Sequence, residues 1–152
     1  MAKDDREYDM YLFLDGIPGG STAKGRKGWI DIASVDWGVE QAVAVSGTGG
    51  GMSGVGSKQR RLWFTAGSGV ASPLLFEATM TGKHVQKGTF EVQRGKSVVV
   101  RWVFEDMLVT AFASAATNTA DGLVDTFTLL ARRLRYTTKD TRGWDFLSKK
   151  AW

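Results

Sequence analysis

Two long runs of β-branched, aromatic and aliphatic residues dominate the second half of the chain, Val98–Phe112 and Leu123–Thr138. Residues of these types favour extended strands. Before the first run, Phe90 and Val92 alternate with polar neighbours, and the short stretch RGKS separates them from it. This pattern predicts a β-hairpin. The polar stretch ASAATNTADG separates the two long runs, so this half of the chain is predicted to consist of strands.

The first half of the chain contains three more strand patterns: Tyr8–Leu14, Trp29–Val43 and Ser57–Ala66. In the first strand, Leu12 and Leu14 alternate with Tyr11 and Phe13. Both faces are therefore apolar, and we expect both to be covered. In the second strand the apolar parity changes near Ser34, which predicts a bulge or a bend.

One short helix follows these strands. Ser72 is a good N-cap residue, Pro73 suits the first helical position, and Gly82 suits the position after the helix. Four apolar residues at helical spacing predict the face that packs on the core: Leu74, Leu75, Ala78 and Met80.

Composition agrees with a strand-rich chain, since glycine occurs 19 times and proline twice in 152 residues. The combined pattern predicts a mainly β protein: a small antiparallel β-barrel of two sheets, with roughly six to eight strands, one short flanking helix and an extended glycine-rich loop. No repeat or linker divides residues 1–152, which we interpret as a single domain.

The glycine-rich segment Ser46–Gly56 contains Gly49, Gly51 and Gly54, which fit the pattern GxGxxG. A dinucleotide site requires a helix after such a loop, but a strand pattern follows here. A P-loop requires a lysine where Ser57 stands. We therefore predict an assembly loop that a partner surface orders, formed by Ser46, Gly47, Gly49, Gly50, Gly51, Met52, Gly54, Val55 and Gly56.

Groups suited to catalysis are scarce. The chain has no cysteine, which excludes a disulfide scaffold and a thiolate metal site. His84 is the single histidine, and no nucleophile elbow accompanies it. The neighbours Glu105 and Asp106 point to opposite faces of a strand unless a bulge intervenes. We expect no enzymatic activity, no cofactor and no metal, with a hydrolase centred on His84 as an alternative.

Two basic clusters with aromatic neighbours raise nucleic-acid binding as a second alternative: Lys58, Arg60 and Arg61 beside Trp63, and Arg132, Arg133 and Arg135 beside Tyr136. The formal net charge is +4, which permits such binding without favouring it. Each cluster is spread over both faces of its strand, so we expect no nucleic-acid partner.

The N-terminal sequence does not resemble a secretion leader. The apolar run Met10–Leu14 is short and follows acidic residues. No stretch is long enough to cross a membrane as a helix, so we expect no membrane insertion.

Five stretches, in this order, resemble the haemolysin-coregulated protein family, the inner-tube proteins of type VI secretion: DMYLFLDGIPGGS, IDIASVDWGVEQ, SGTGGGMSGVGS, SPLLFEATMTGKH and GWDF. They extend from Asp9 to Asp145. The resemblance implies a β-barrel of two sheets, a homohexameric ring, and rings that stack into a tube inside a contractile sheath. A bacteriophage tail-tube protein shares this architecture and is the alternative.

The resemblance also implies partners and a location. The partners are further copies of the chain, the valine-glycine repeat spike protein, the sheath, and effector proteins carried in the ring lumen. The protein would assemble in the bacterial cytoplasm and then be secreted without a cleaved leader. Asp36 stands where many family members have a small polar residue, and it is our candidate for lumen and effector contact.

Overall fold

The structure is a computed structural model that describes residues 7–47 and 49–152. Met1–Arg6 and Thr48 lie outside the described residues, so the start of the N-terminal segment and one position of the predicted assembly loop receive no structural account. The described chain forms eleven strands and one helix: β1 (Asp9–Leu14), β2 (Ile30–Asp31), β3 (Ser34–Asp36), β4 (Val39–Val45), β5 (Met52–Gln59), β6 (Leu62–Gly67), α1 (Ser72–Thr81), β7 (Val85–Arg94), β8 (Ser97–Ala116), β9 (Leu123–Thr137), β10 (Thr141–Asp145) and β11 (Lys150–Ala151).

Nine of these strands form one antiparallel sheet, and β4 and β5 form a separate two-stranded sheet. The main path of the large sheet is β11-β10-β9-β8-β7-β1-β2. Strand β9 is long enough to pair with β8 along one edge and with both β6 and β10 along the other. The mainly β prediction, with one helix and two sheets, is confirmed.

The predicted barrel is not closed. Strand β2 pairs with β1, whereas β3 pairs with β6. Between them the chain crosses from one edge to the other, with the amide of Ile32 donating to the carbonyl of Met10 and the amide of Ala33 donating to the carbonyl of Thr65. The bend predicted near Ser34 is therefore confirmed. It divides the predicted second strand, because successive parts of this segment pair with different partners.

The core lies inside the curved large sheet and is rich in aromatic residues. Phe64 is fully buried and lies 5.4 Å from Phe127 and 5.6 Å from Phe90, measured between ring centroids. Strand alternation places these residues inside: Leu62 and Phe64 are buried, while the residues between and before them face outward. Apolar side chains of the size of Phe each contribute about 1.5–3 kcal/mol when fully buried.

The outer face of β1 is covered only in part. Leu12 and Leu14 are buried, as predicted, but Phe13 remains 37% exposed. Its ring contacts Trp29 at 5.7 Å, at the end of the following loop. That loop is held by Arg26, whose guanidinium pairs with the buried carboxylate of Glu91.

The helix begins one residue earlier than predicted. Ala71 is the N-cap, and Ser72 is the first helical residue. The N-cap prediction for Ser72 is wrong: the carbonyl of Ala71 accepts the first helical hydrogen bond, from the amide of Leu75. The Ser72 hydroxyl instead accepts from the amide of Gly69 and donates to the buried carboxylate of Asp125. Gly82 has φ of 66° at the helix end, as predicted for a left-handed cap. Leu75 and Ala78 are buried, but Met80 is exposed, so the predicted apolar face is shorter than expected.

Candidate functional site

The most exposed paired element is the hairpin formed by β4 and β5, called the extended hairpin from here on. It runs from Val39 to Gln59, and all its described residues except Gln59 are exposed. The strands pair from Val39 opposite Gln59 to Val45 opposite Met52. Backbone pairing orders the arms, although they bury almost no apolar surface within the protomer.

The predicted assembly loop occupies the tip and one arm of this hairpin. Its first part forms the turn, where the amide of Ser46 donates to the carbonyl of Gly51 at 2.9 Å. Its second part already belongs to β5, which contains Met52, Gly54, Val55 and Gly56. The sequence pattern missed this half of the strand, because its pairing depends on backbone hydrogen bonds and its side chains have low strand propensity.

A β-bulge shapes the middle of the extended hairpin. Ala42 lies opposite Gly56 and Val43 lies opposite Gly54, which leaves Val55 as the extra residue. The side chain of Gln41 holds this bulge, since its Oε1 accepts a hydrogen bond from the amide of Gly56 at 2.8 Å. A methyl group on Gly54 would lie 3.0 Å from Cδ of Gln41, so glycine leaves room for this amide.

The extended hairpin has two chemically different faces. Directly opposite residues in an antiparallel pair lie on the same face. One face contains Val39, Val43, Val45 and Met52 beside the polar residues Gln41 and Ser57; Val43 is 55% exposed and Met52 is 76% exposed. The opposite face contains Glu40, Ala42, Ala44, Ser53 and Lys58. Between Gln41 and Ser57 the hairpin has no charged residue, so it presents an apolar surface that can be covered without burying a charge.

Two contacts fix the root of the extended hairpin to the large sheet. The side-chain amide of Gln59 donates to the carbonyl of Ala131, and the amide of Ala131 donates to Oε1 of Gln59 at 3.3 Å. This side chain therefore completes the edge of β9 between its pairings with β6 and β10. Next to it, the guanidinium of Arg60 lies against Gly38, where a Cβ atom would come within 2.2 Å of it.

A groove of about 1030 Å³ lies between the root of the extended hairpin and the large sheet. Asp36 lines it and lies opposite Trp63 in the pairing of β3 with β6. Trp63 is 55% exposed. Apolar and charged side chains both line this groove, among them Trp37, Phe112, Leu130, Phe146, Arg60 and Arg61. The structure thus brings Asp36 together with one of the two basic clusters and with aromatic rings.

The single histidine lies in a different place. Nδ1 of His84 is 2.5 Å from the carboxylate of Asp106, and both side chains are exposed. Asp106 has φ of 54° and interrupts the regular pairing of β8. Its neighbour Glu105 instead pairs with Arg133. Over residues 7–47 and 49–152, no group of three or more His, Cys, Asp or Glu side chains has the arrangement of a metal site.

The second basic cluster is engaged by the C-terminal strands. Asp145 is buried and accepts hydrogen bonds from Nε of Arg133 at 2.8 Å and from the amides of Leu147 and Ser148. The Arg133 hydrogen bond, with that of the Ser148 amide, holds the pKa of Asp145 well below its usual range. Arg135 lies over the ring of Trp152 at 4.1 Å. These cations therefore serve intramolecular contacts, and the GWDF stretch orders the C-terminal segment.

Sequence reasoning missed Gln41 and Gln59, because a lone glutamine gives no signal of the backbone group it will bind. The apolar face of the hairpin could have been predicted from the sequence, since Val39, Val43 and Val45 recur at even spacing along one strand. In the described part of the chain, helices fall short of the length and apolarity needed to cross a membrane.

Comparison with known proteins is consistent with this geometry. The family model described as "Type VI secretion system effector, Hcp" matches residues 11–137. Hcp1 from Salmonella typhimurium is 22% identical with a TM-score of 0.86, and the match covers 97% of this chain and 100% of that one. A type VI secretion system effector from Yersinia pestis is 18% identical with a TM-score of 0.78, over 90% and 99% of the two chains.

The secreted protein Hcp3 from Pseudomonas aeruginosa is 14% identical with a TM-score of 0.64, over 91% and 97% of the two chains. At these identities the solved structures establish the likeness of the fold. No curated protein sequence matches the chain. The family model covers most of the chain, from β1 to the end of β9. The chain therefore belongs to the Hcp family of type VI secretion proteins.

Proposed function

We propose that this protein is the structural subunit of a type VI secretion inner tube, which assembles as homohexameric rings that stack end to end. The whole chain, residues 1–152, acts as one tube-protein domain with a structural, non-catalytic role. One observation carries the proposal: the extended hairpin projects an uncharged apolar face that its own protomer leaves exposed. Exposed apolar surface of this kind marks an interaction site, and identical subunits cover such a surface in closed rings or stacks.

The native mass of the purified protein tests this proposal directly. We expect six subunits per particle at micromolar concentration and physiological salt, by native mass spectrometry and sedimentation velocity. Electron microscopy at higher concentration should show rings and short stacks. A monomer under these conditions would overturn the proposal. A phage tail tube remains the alternative for an assembling protein, and the genes beside this one would separate the two.

A second function, the carriage of effector proteins, is favoured by the groove beside Asp36. Half-exposed aromatic rings next to carboxylate and guanidinium groups suit a protein segment with mixed apolar and charged residues. We propose that Asp36 contacts such cargo within the ring. Asp36→Arg and Asp36→Leu should abolish effector stabilisation in cells while the native mass stays that of the ring. Effectors that are equally stable in cells lacking this protein would contradict the carrier role.

These roles imply partners and a route. The spike protein and the contractile sheath would contact the ends and the outside of the tube, and the subunit would leave the bacterial cytoplasm with the tube. Recovery of the protein in the culture supernatant, dependent on an intact sheath, tests this route.

A further inference from the structure

The extended hairpin is held by two glutamine side chains that bind backbone groups in different ways. Oε1 of Gln41 accepts the amide of Gly56 across the bulge at 2.8 Å. The side-chain NH₂ group of Gln59 donates to the carbonyl of Ala131 on β9, and Oε1 of Gln59 accepts from the backbone amide of Ala131. The first contact lies within the hairpin and the second joins the hairpin to the large sheet.

These contacts matter because, apart from backbone pairing between β4 and β5, no packing of apolar side chains within the protomer orders the described part of the hairpin. Its apolar side chains point into solvent. Fixing one residue of free backbone costs about 1–2 kcal/mol, and a surface that is ordered before it binds avoids that cost at the moment of association. The bulge also sets the twist of the strands beyond it. The apolar residues Val43, Val45 and Met52 all lie on the far side of the bulge from the sheet.

We propose that Gln41 and Gln59 are positioning residues for assembly: Gln41 sets the shape of the extended hairpin, and Gln59 sets its angle to the large sheet. The apolar face then meets a second copy of the chain already ordered. This inference rests on the proposed function, and it names how the assembly surface is prepared.

The two glutamines have different chemical requirements, which gives a sharp test. At position 41 only an acceptor is used, so Gln41→Glu keeps the bond to the Gly56 amide and Gln41→Met removes it. At position 59 a donor and an acceptor are both used. Both Gln59→Met and Gln59→Glu therefore lose the clamp, since a carboxylate cannot donate to the Ala131 carbonyl. Gln86→Met, at an exposed position of β7, is the matched control.

Two measurements on the full chain report the outcome. Hydrogen–deuterium exchange at the amide of Gly56 reports the contact itself, and the protein concentration at half-assembly, from sedimentation velocity, reports its consequence. We expect Gln41→Met to speed exchange at Gly56 and to raise the half-assembly concentration by about three- to tenfold, the range of one lost hydrogen bond. Gln41→Glu should restore slow exchange at Gly56, whereas its carboxylate, on the same face as Val43 and Val45, should still oppose assembly. Gln86→Met should change neither value.

Other results overturn the inference. If Gln41→Met speeds exchange at Gly56 but assembles at the wild-type concentration, the hairpin shape does not govern assembly. If Gln59→Glu assembles as well as wild type, the clamp on Ala131 has no positioning role. A wild-type protein that stays monomeric overturns the proposed function and this inference with it, whereas an assembling wild type with unaffected variants overturns this inference alone.

Discussion

Replacing Val43 by threonine tests whether the apolar face of the extended hairpin is buried on assembly. Threonine keeps the branched shape and the strand preference of valine, but it puts a hydroxyl group where a methyl group would be covered. Val43 is 55% exposed in the protomer. At an exposed site of this kind, a substitution changes the stability of the fold by less than about 0.5 kcal/mol.

The effect on assembly follows from the same exposed fraction. Full burial of a valine side chain contributes about 1.5–3 kcal/mol, so covering the exposed half contributes roughly 1 kcal/mol per contact. In a stack of six-subunit rings each junction repeats the contact about six times, so the loss sums to roughly 6 kcal/mol per junction. This corresponds to about a 10⁴-fold decrease in the association constant between rings.

Sedimentation velocity over a concentration series measures this constant, and thermal unfolding measures the fold. Val70→Thr is the matched control, because Val70 is 61% exposed and precedes the helix, away from the hairpin. We expect Val43→Thr to melt like wild type and to stack poorly, while Val70→Thr stacks normally. If Val43→Thr stacks at the wild-type concentration, the apolar face of the hairpin is not the surface that is buried between rings.

Three further predictions concern other parts of the molecule. The depressed pKa of Asp145 stabilises the fold above about pH 4, the unfolded-state value, and this contribution is lost as pH falls through the lower folded-state pKa. Denaturation titrations should therefore show the difference in unfolding free energy between wild type and Asp145→Asn becoming smaller below about pH 4. Gly88→Ala places a Cβ atom 2.7 Å from Cε of Met107 and should cost about 1–3 kcal/mol of unfolding free energy by overpacking, measured in urea. Alanine at 49–51 should leave the melting temperature unchanged but weaken tube formation in electron micrographs, since Gly50 has φ of 64°.

The strands and their inward faces could be predicted from the sequence because they follow from local alternation. Leu62 and Phe64 alternate with outward residues, and the structure buries both. The helix end at Gly82 was predictable for the same reason, since a left-handed cap is a local requirement that glycine satisfies. The family could also be recognised from the sequence, because the five stretches that resemble it occur in the expected order along the chain.

Pairing partners were decided only by the tertiary structure. The sequence pattern from Trp29 to Val43 does not predict that its three strands, β2, β3 and β4, pair with β1, β6 and β5 respectively. The choice of Asp125 as the partner of the Ser72 hydroxyl is likewise non-local.

The candidate site, too, was determined partly by the sequence and partly by the tertiary structure alone. The sequence by itself determined that a glycine-rich, uncharged stretch joins two strands and leads into no helix, which predicted an element outside the core. Only the tertiary structure decided that Met52–Gly56 continues a strand, that Gln41 holds its bulge and that Gln59 joins the hairpin to β9. The physical reason is that these contacts are made to backbone amides and carbonyls, which every residue carries, so the identity of the partner depends on which strands the fold brings together.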